Sequence, residues 1–137
     1  MVHVPSVHDF AGRHTYADIF KVPAAFLYDN ARMRNALEGA IRASGATICG
    51  SVEKSFDPCG YTCLYLLAES HVSIHTYPQE DALFFDAFTC GPLDPDLILR
   101  AFADALGGVE MRTQFVKRGL EPAPAAAPAR DRSREHA

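Results

Sequence analysis

The apolar residues of this chain fall mostly into runs of strand length, and only two segments carry the four-residue period of a helix. The run at 62–69 is almost wholly apolar, so we expect that strand to be buried on both faces. Strands that outnumber helices to this extent predict a sheet-based fold. The predicted strands cover residues 14–22, 46–56, 62–69, 72–77, 83–89 and 109–116.

Two helices complete the pattern. The first begins after Asp29 or Asn30 and ends at Gly45. The second begins at Asp94 or Asp96, and its apolar side is formed by Leu97, Ile98, Ala101 and Leu106. This order predicts an α+β fold, a two-layer α/β sandwich with a largely antiparallel sheet and two helices on one face. The other face is left partly apolar, which predicts a homodimer because a second subunit would cover it.

Length and composition describe one ordinary domain. The 137 residues are 48% hydrophobic and 22% charged, which is enough to bury one core. A net charge of -4 does not suit a nucleic-acid binder, and no apolar run reaches the roughly 18 residues of a membrane helix. Without an evident signal peptide, we expect a cytoplasmic protein. We expect an irregular lead-in at 1–11, a single domain at 12–118 and a disordered tail at 119–137.

The densest group of reactive side chains lies in AESHVSIHTYP, residues 68–78. Alternation along a strand puts His71 and His75 on one face and Ser70 on the other, unless the chain bends at the bond before Ser70. Cys90 ends the next predicted strand, and a hairpin-like return would bring it beside His75.

The residues alone leave three interpretations of this segment open. The first is a structural strand whose histidines make ordinary hydrogen bonds. The second is a zinc site formed by His71, His75 and a cysteine. The third is nucleophilic chemistry at Ser70 or Cys90 with a histidine base, although no Gly-x-Ser-x-Gly elbow is present.

A longer pattern separates these alternatives. The segment LLAESHVSIHTYPQEDALFFDAFTCG, residues 66–91, closely resembles the S-adenosylmethionine decarboxylase proenzymes of bacteria and archaea, whose pattern there is AESH-x-SIHTWPE…D-x-FTCG. Gly12-Arg13-His14 and Phe56-x-Pro58-x-Gly60 match two further motifs of that family. The order of predicted elements agrees from about residue 11 to residue 118.

The resemblance implies that the chain cuts itself between Glu69 and Ser70, giving a β chain, 1–69, and an α chain, 70–137. In the family, the serine hydroxyl attacks the preceding carbonyl, and elimination converts the serine into a pyruvoyl group. This group forms a Schiff base with the substrate amine and serves as a covalent cofactor. No metal is implied.

The resemblance also assigns roles to three further residues. His75 is the proton acceptor in processing, and Thr62 stands where a serine hydroxyl assists that step. Cys90 is the proton donor that returns a proton to the substrate, and an ordinary thiol is mostly protonated at neutral pH, as this role requires.

The same resemblance places a small amino-acid-type substrate against Phe56, Tyr77 and Gln79. Phe56 matches an aromatic residue that stacks on adenine, and Tyr77 replaces a tryptophan. Gln79 stands where the family has a glutamate that holds the ribose hydroxyls, and the neighbouring Glu80 would face away on a strand. The implied substrate is S-adenosylmethionine, for polyamine (spermidine) synthesis. The alternative is a changed substrate, L-ornithine or L-arginine, and a non-catalytic homologue or a metal-binding protein is a minor alternative.

Overall fold

The computed structural model describes residues 10–119. Its strands are β1 (Ala11–Phe20), β2 (Ile48–Ser55), β3 (Tyr61–Leu67), β4 (Ser70–Tyr77), β5 (Ala82–Cys90) and β6 (Glu110–Gly119). They form one sheet in the order β2-β3-β4-β5-β1-β6. Every neighbouring pair is antiparallel, so the predicted sheet is confirmed.

The helices are α1 (Ala24–Leu27), α2 (Asn30–Ala43) and α3 (Pro95–Leu106). The side chain of Asp29 caps α2 by accepting a 3.0 Å hydrogen bond from the backbone N–H of Arg32. Asp94 caps α3 in the same way, through the N–H of Asp96. The four-residue α1 was not predicted because it is too short to show a helical period. The two longer helices confirm the predicted pair.

The core lies between the helices and one face of the sheet. In α2, the residues that recur every four positions, Met33, Leu37 and Ile41, are completely buried. They pack in one cluster with alternate residues of the central strands, such as Tyr65 and Ile74. Burying each large apolar side chain stabilises the fold by roughly 1.5–3 kcal/mol, so this layer holds the sheet and the helices together.

The prediction that β3 is buried on both faces is wrong. Leu64 and Leu66 alternate with buried residues and are 39% and 59% exposed, and Val52 beside Leu64 is exposed as well. This side of the sheet, opposite the helices, is called the open face below. Leu97 was also misplaced: it is exposed, and Phe102 takes the buried position in α3.

The ends of the chain lie outside the described residues at 1–9 and 120–137, and so do most of the predicted lead-in and tail. β1 begins at Ala11 and β6 reaches Gly119, each one residue beyond the predicted domain limits. Between residues 10 and 119, none of the helices is both long and apolar enough to span a membrane.

Candidate active site

A two-residue turn, Ala68–Glu69, joins β3 to β4 and holds the bond before Ser70. Leu67 and Ser70 are paired across this turn. Glu69 has a φ of 65°, a left-handed conformation that residues with a side chain rarely adopt and that costs on the order of 1–3 kcal/mol. The chain therefore turns sharply at Glu69, directly before Ser70.

Ser70 is buried, and its hydroxyl oxygen accepts a 3.2 Å hydrogen bond from the backbone N–H of Cys90. The antiparallel pairing of β4 with β5 explains this contact. Because His71 lies opposite Phe88, the residue before His71 lies next to the residues that follow Phe88, among them Cys90. The expectation that Cys90 lies beside His75 is wrong. His75 faces Phe84, at the other end of the strand pair.

Thr62 and His75 form a second pair on the open face, with 3.0 Å between the Thr62 hydroxyl oxygen and His75 Nδ1. His75 is five residues along the strand from Ser70, which corresponds to about 17 Å at the rise of an antiparallel strand. The candidate residues therefore fall into two groups. Ser70 and Cys90 lie at one end of the sheet, and Thr62 and His75 lie at the other.

The three candidate substrate-binding residues lie at the His75 end. Phe56 and Tyr77 are exposed, and the ring of Tyr77 lies 4.9 Å from that of Phe84. Gln79 is exposed in a short 3-10 helix, Pro78–Glu80, that follows β4. The prediction that Glu80 faces away on a strand is wrong, because β4 ends at Tyr77 and Glu80 lies in the 3-10 helix.

A hydrogen-bonded network on the open face beside Ser70 was missed in the sequence. Asp86 Oδ2 accepts hydrogen bonds from His14 Nε2 at 2.7 Å and His71 Nε2 at 3.1 Å, and the Ser73 hydroxyl donates to Oδ1. Burial raises the pKa of Asp86, but these hydrogen bonds outweigh it and hold the pKa below its ordinary value. The only sign of this network in the sequence is that His14 ends the Gly-Arg-His motif and Asp86 begins the D-x-FTCG motif.

The predicted zinc group of His71, His75 and a cysteine is not brought together. His14, His71 and Asp86 instead place their ligand atoms within 4.8 Å of one another. However, Arg118 Nη1 points at His14 Nδ1 from 3.5 Å, where a metal-bound histidine would carry its own N–H. We therefore interpret this cluster as a hydrogen-bonded network.

A cavity of about 340 Å³ opens beside Cys90, with Phe10, Phe88 and Arg118 among its lining residues. Gly12 also lines it, and a Cβ at this position would lie 2.4 Å from the Phe88 ring. Only glycine therefore allows the ring to stand where it does. A buried serine after a strained residue, next to a cysteine and a cavity, fits the formation and use of a covalent carbonyl group at position 70.

This two-layer α+β sandwich, together with the comparisons that follow, places the chain among the decarboxylase proenzymes. A family model for S-adenosylmethionine decarboxylase matches residues 13–119. The chain belongs to the S-adenosylmethionine decarboxylase family.

Relatives from three organisms show the extent of the similarity. S-adenosylmethionine decarboxylase proenzyme 2 of Bacillus anthracis is 36% identical over 110 residues, covering 80% of this chain and 89% of the relative. The proenzyme of Archaeoglobus fulgidus is 38% identical over 91 residues, covering 66% and 80%. The crystal structure of adenosylmethionine decarboxylase from Aquifex aeolicus has a TM-score of 0.75 at 30% identity, covering 85% of this chain and 97% of that one.

Proposed function

We propose that this protein is a self-processing, pyruvoyl-dependent decarboxylase that acts on S-adenosylmethionine in the cytoplasm. Its product would supply the aminopropyl donor for polyamine (spermidine) synthesis. The observation that carries the proposal is the buried Ser70, placed after the strained Glu69 and hydrogen-bonded to the amide of Cys90. The names of the relatives support S-adenosylmethionine as substrate, and nothing in the comparisons supports L-ornithine or L-arginine.

Processing begins with the Ser70 hydroxyl, which attacks the carbonyl carbon of Glu69 and replaces the peptide bond by an ester. The amide of Cys90 stabilises negative charge on the hydroxyl oxygen as its proton leaves. Cleavage also releases the backbone strain at Glu69. Loss of the Ser70 α-proton then frees the chain that ends at Glu69, and residue 70 hydrolyses to a pyruvoyl group with release of ammonia.

A pyruvoyl ketone at position 70 supplies an electrophile for the substrate amine and accepts the electron pair left when carbon dioxide departs. Cys90 lies next to this position and lines the cavity. We assign its thiol as the donor that returns a proton to the substrate α-carbon. No step in this scheme uses a metal.

We also propose that a second copy of the chain covers the open face. His75, about 17 Å along the strand from Ser70 of its own chain, cannot take that α-proton. A two-fold dimer with its open faces together brings the Thr62–His75 pair of one copy over the Ser70 end of the other. It also brings Phe56, Tyr77 and Gln79 to that end, and it buries the exposed apolar residues of β2 and β3.

The proposed activity is tested on purified protein by denaturing electrophoresis, mass spectrometry and carbon dioxide release. We expect two fragments from the wild type, a pyruvoyl group at position 70, and release from S-adenosylmethionine but not from L-ornithine or L-arginine. Ser70→Ala should remain one 15.0 kDa chain without activity. A wild type that stays whole contradicts the proposal, and a cut enzyme that prefers ornithine or arginine contradicts the substrate.

The dimer is tested by mixing two inactive variants that carry different tags. Ser70→Ala keeps His75 and His75→Ala keeps Ser70, so a mixed dimer contains one complete site when the histidine acts across the interface. Coexpression should then restore cleavage of the His75→Ala chain. The matched control pairs this chain with the double variant, which lacks both side chains and should restore nothing. Absence of cleavage in both pairs would contradict the shared site.

A further inference from the structure

We propose that Arg118 binds the α-carboxylate of the substrate in the cavity beside Cys90, and that it thereby selects substrates that carry this carboxylate. The inference rests on the proposed function, because it takes Cys90 as the proton donor to the α-carbon. It assigns a role to a residue of the last strand that belongs to none of the motifs in the sequence.

The carboxylate of the substrate must lie close to the α-carbon. It is joined to the α-carbon by one bond of about 1.5 Å. A substrate whose α-carbon is within reach of the Cys90 sulfur therefore holds its carboxylate in the same cavity. Among the described residues that line this cavity, Arg118 is the charged one, and the others are aromatic, small or the cysteine itself.

The guanidinium of Arg118 is held by two neighbouring rings. Its central carbon lies 5.1 Å from the centre of the Phe88 ring, and Nη1 lies 3.5 Å from His14 Nδ1. These contacts orient a planar group at the wall of the cavity. Within residues 10–119, no carboxylate forms an ion pair with Arg118, whereas Arg34 pairs with Glu53. The guanidinium presents paired N–H donors, so a carboxylate that accepts two hydrogen bonds is the ligand it accommodates best.

Of the two kinetic constants, KM should depend on Arg118. The carboxylate is charged in the bound substrate and leaves as neutral carbon dioxide. The ion pair therefore stabilises the bound substrate at least as strongly as the transition state, so its loss raises KM without lowering kcat. The decarboxylated product lacks this group, so its affinity should not depend on Arg118.

The experiment compares Arg118→Gln with the wild type, both as mature protein. We expect KM for S-adenosylmethionine to rise about tenfold, which corresponds to about 1.4 kcal/mol, with kcat within about twofold. The dissociation constant of the decarboxylated product, measured by calorimetry, should stay unchanged. Lys117→Gln is the matched control, because it removes the same charge from the neighbouring residue, whose side chain lies on the opposite face of β6, and it should alter neither constant.

Three outcomes would overturn the inference. In the first, KM and the product dissociation constant rise together, which would mean that Arg118 only shapes the cavity. In the second neither changes, and in the third kcat falls at constant KM. If Arg118→Gln remains uncut, Arg118→Lys carries the same comparison with an expected rise in KM of about threefold. An uncut or inactive wild type would instead refute the proposed function, so the two failures are distinguishable.

Discussion

The backbone amide of Cys90 donates a 3.2 Å hydrogen bond to the hydroxyl of Ser70. One residue therefore has two separable tasks in the proposed enzyme. Its amide holds the hydroxyl that attacks the chain, and its thiol later returns a proton to the substrate. A change of side chain removes the second task and leaves the first intact.

Cys90→Ala should therefore cut itself but decarboxylate poorly. Removal of a general acid lowers turnover by about 10²- to 10⁴-fold. Electrophoresis measures the cut, and carbon dioxide release measures turnover. Cys49→Ala, at an exposed cysteine, is the control and should behave as the wild type. Unchanged turnover in Cys90→Ala would remove the thiol from the mechanism.

Gly12→Ala should destabilise the protein and alter the cavity. The added methyl lies 2.4 Å from the Phe88 ring, so the ring must move, at a cost of about 1–3 kcal/mol in the free energy of unfolding and with a higher KM. Gly39→Ala is the contrasting control. It lies in α2 with open space around it, and it should raise stability by up to about 1 kcal/mol. Equal stabilities by urea denaturation of the uncut chains, each carrying Ser70→Ala, would contradict this placement of the ring.

Asp86→Asn should change how stability depends on pH. The folded protein holds the pKa of Asp86 below the ordinary value of about 3.9. Its contribution is therefore present above about pH 4 and is lost as pH falls through the lowered pKa. The variant should be less stable at neutral pH, by about 1–3 kcal/mol, and should lose less on acidification.

Urea denaturation at several pH values between about 2 and 7 measures this difference between Asp86→Asn and the wild type, both as uncut chains that carry Ser70→Ala. Asp104→Asn, at an exposed carboxylate, should keep the wild-type pH dependence. Parallel curves for Asp86→Asn and the wild type would show that the network does not depend on the charge of Asp86.

Gln79→Glu should tighten binding of S-adenosylmethionine. A carboxylate accepts hydrogen bonds from two ribose hydroxyls about twice as strongly as an amide and attracts the sulfonium charge. We expect KM to fall about fivefold, measured by carbon dioxide release. Glu80→Gln, in the same 3-10 helix, should leave KM unchanged. A rise in KM for Glu80→Gln alone would mean that Glu80 supplies the carboxylate instead.

Much of the fold was predictable because its signals are local. The four-residue period of α2, its cap at Asp29 and the turn signals between strands lie within a few residues of the features they predict. The turn before Ser70 was left open, since alternation alone does not show whether the chain bends there. The pattern of apolar residues did not show which face of β3 is covered, because Leu64 and Leu66 are as apolar as their buried neighbours.

The candidate site was less predictable because strand pairing assembles it from distant segments. The hydrogen bond between His14 and Asp86 joins residues that are 72 positions apart in the chain. Likewise, the placement of Cys90 beside Ser70 rather than His75 depends on the register of β4 with β5. The family resemblance implied a role for each residue, but the neighbour with which a residue acts is set by that register.

The sheet contains interleaved strands from the two halves of the chain. β1, β2 and β3 come before the Glu69–Ser70 bond and β4, β5 and β6 come after it, yet β1 lies between β5 and β6. The proposed cut therefore yields two interlaced polypeptides that part only when the whole sheet melts. Once parted, they must find each other by diffusion, without the turn that set their register. After maturation, recovery from thermal unfolding would therefore depend on protein concentration.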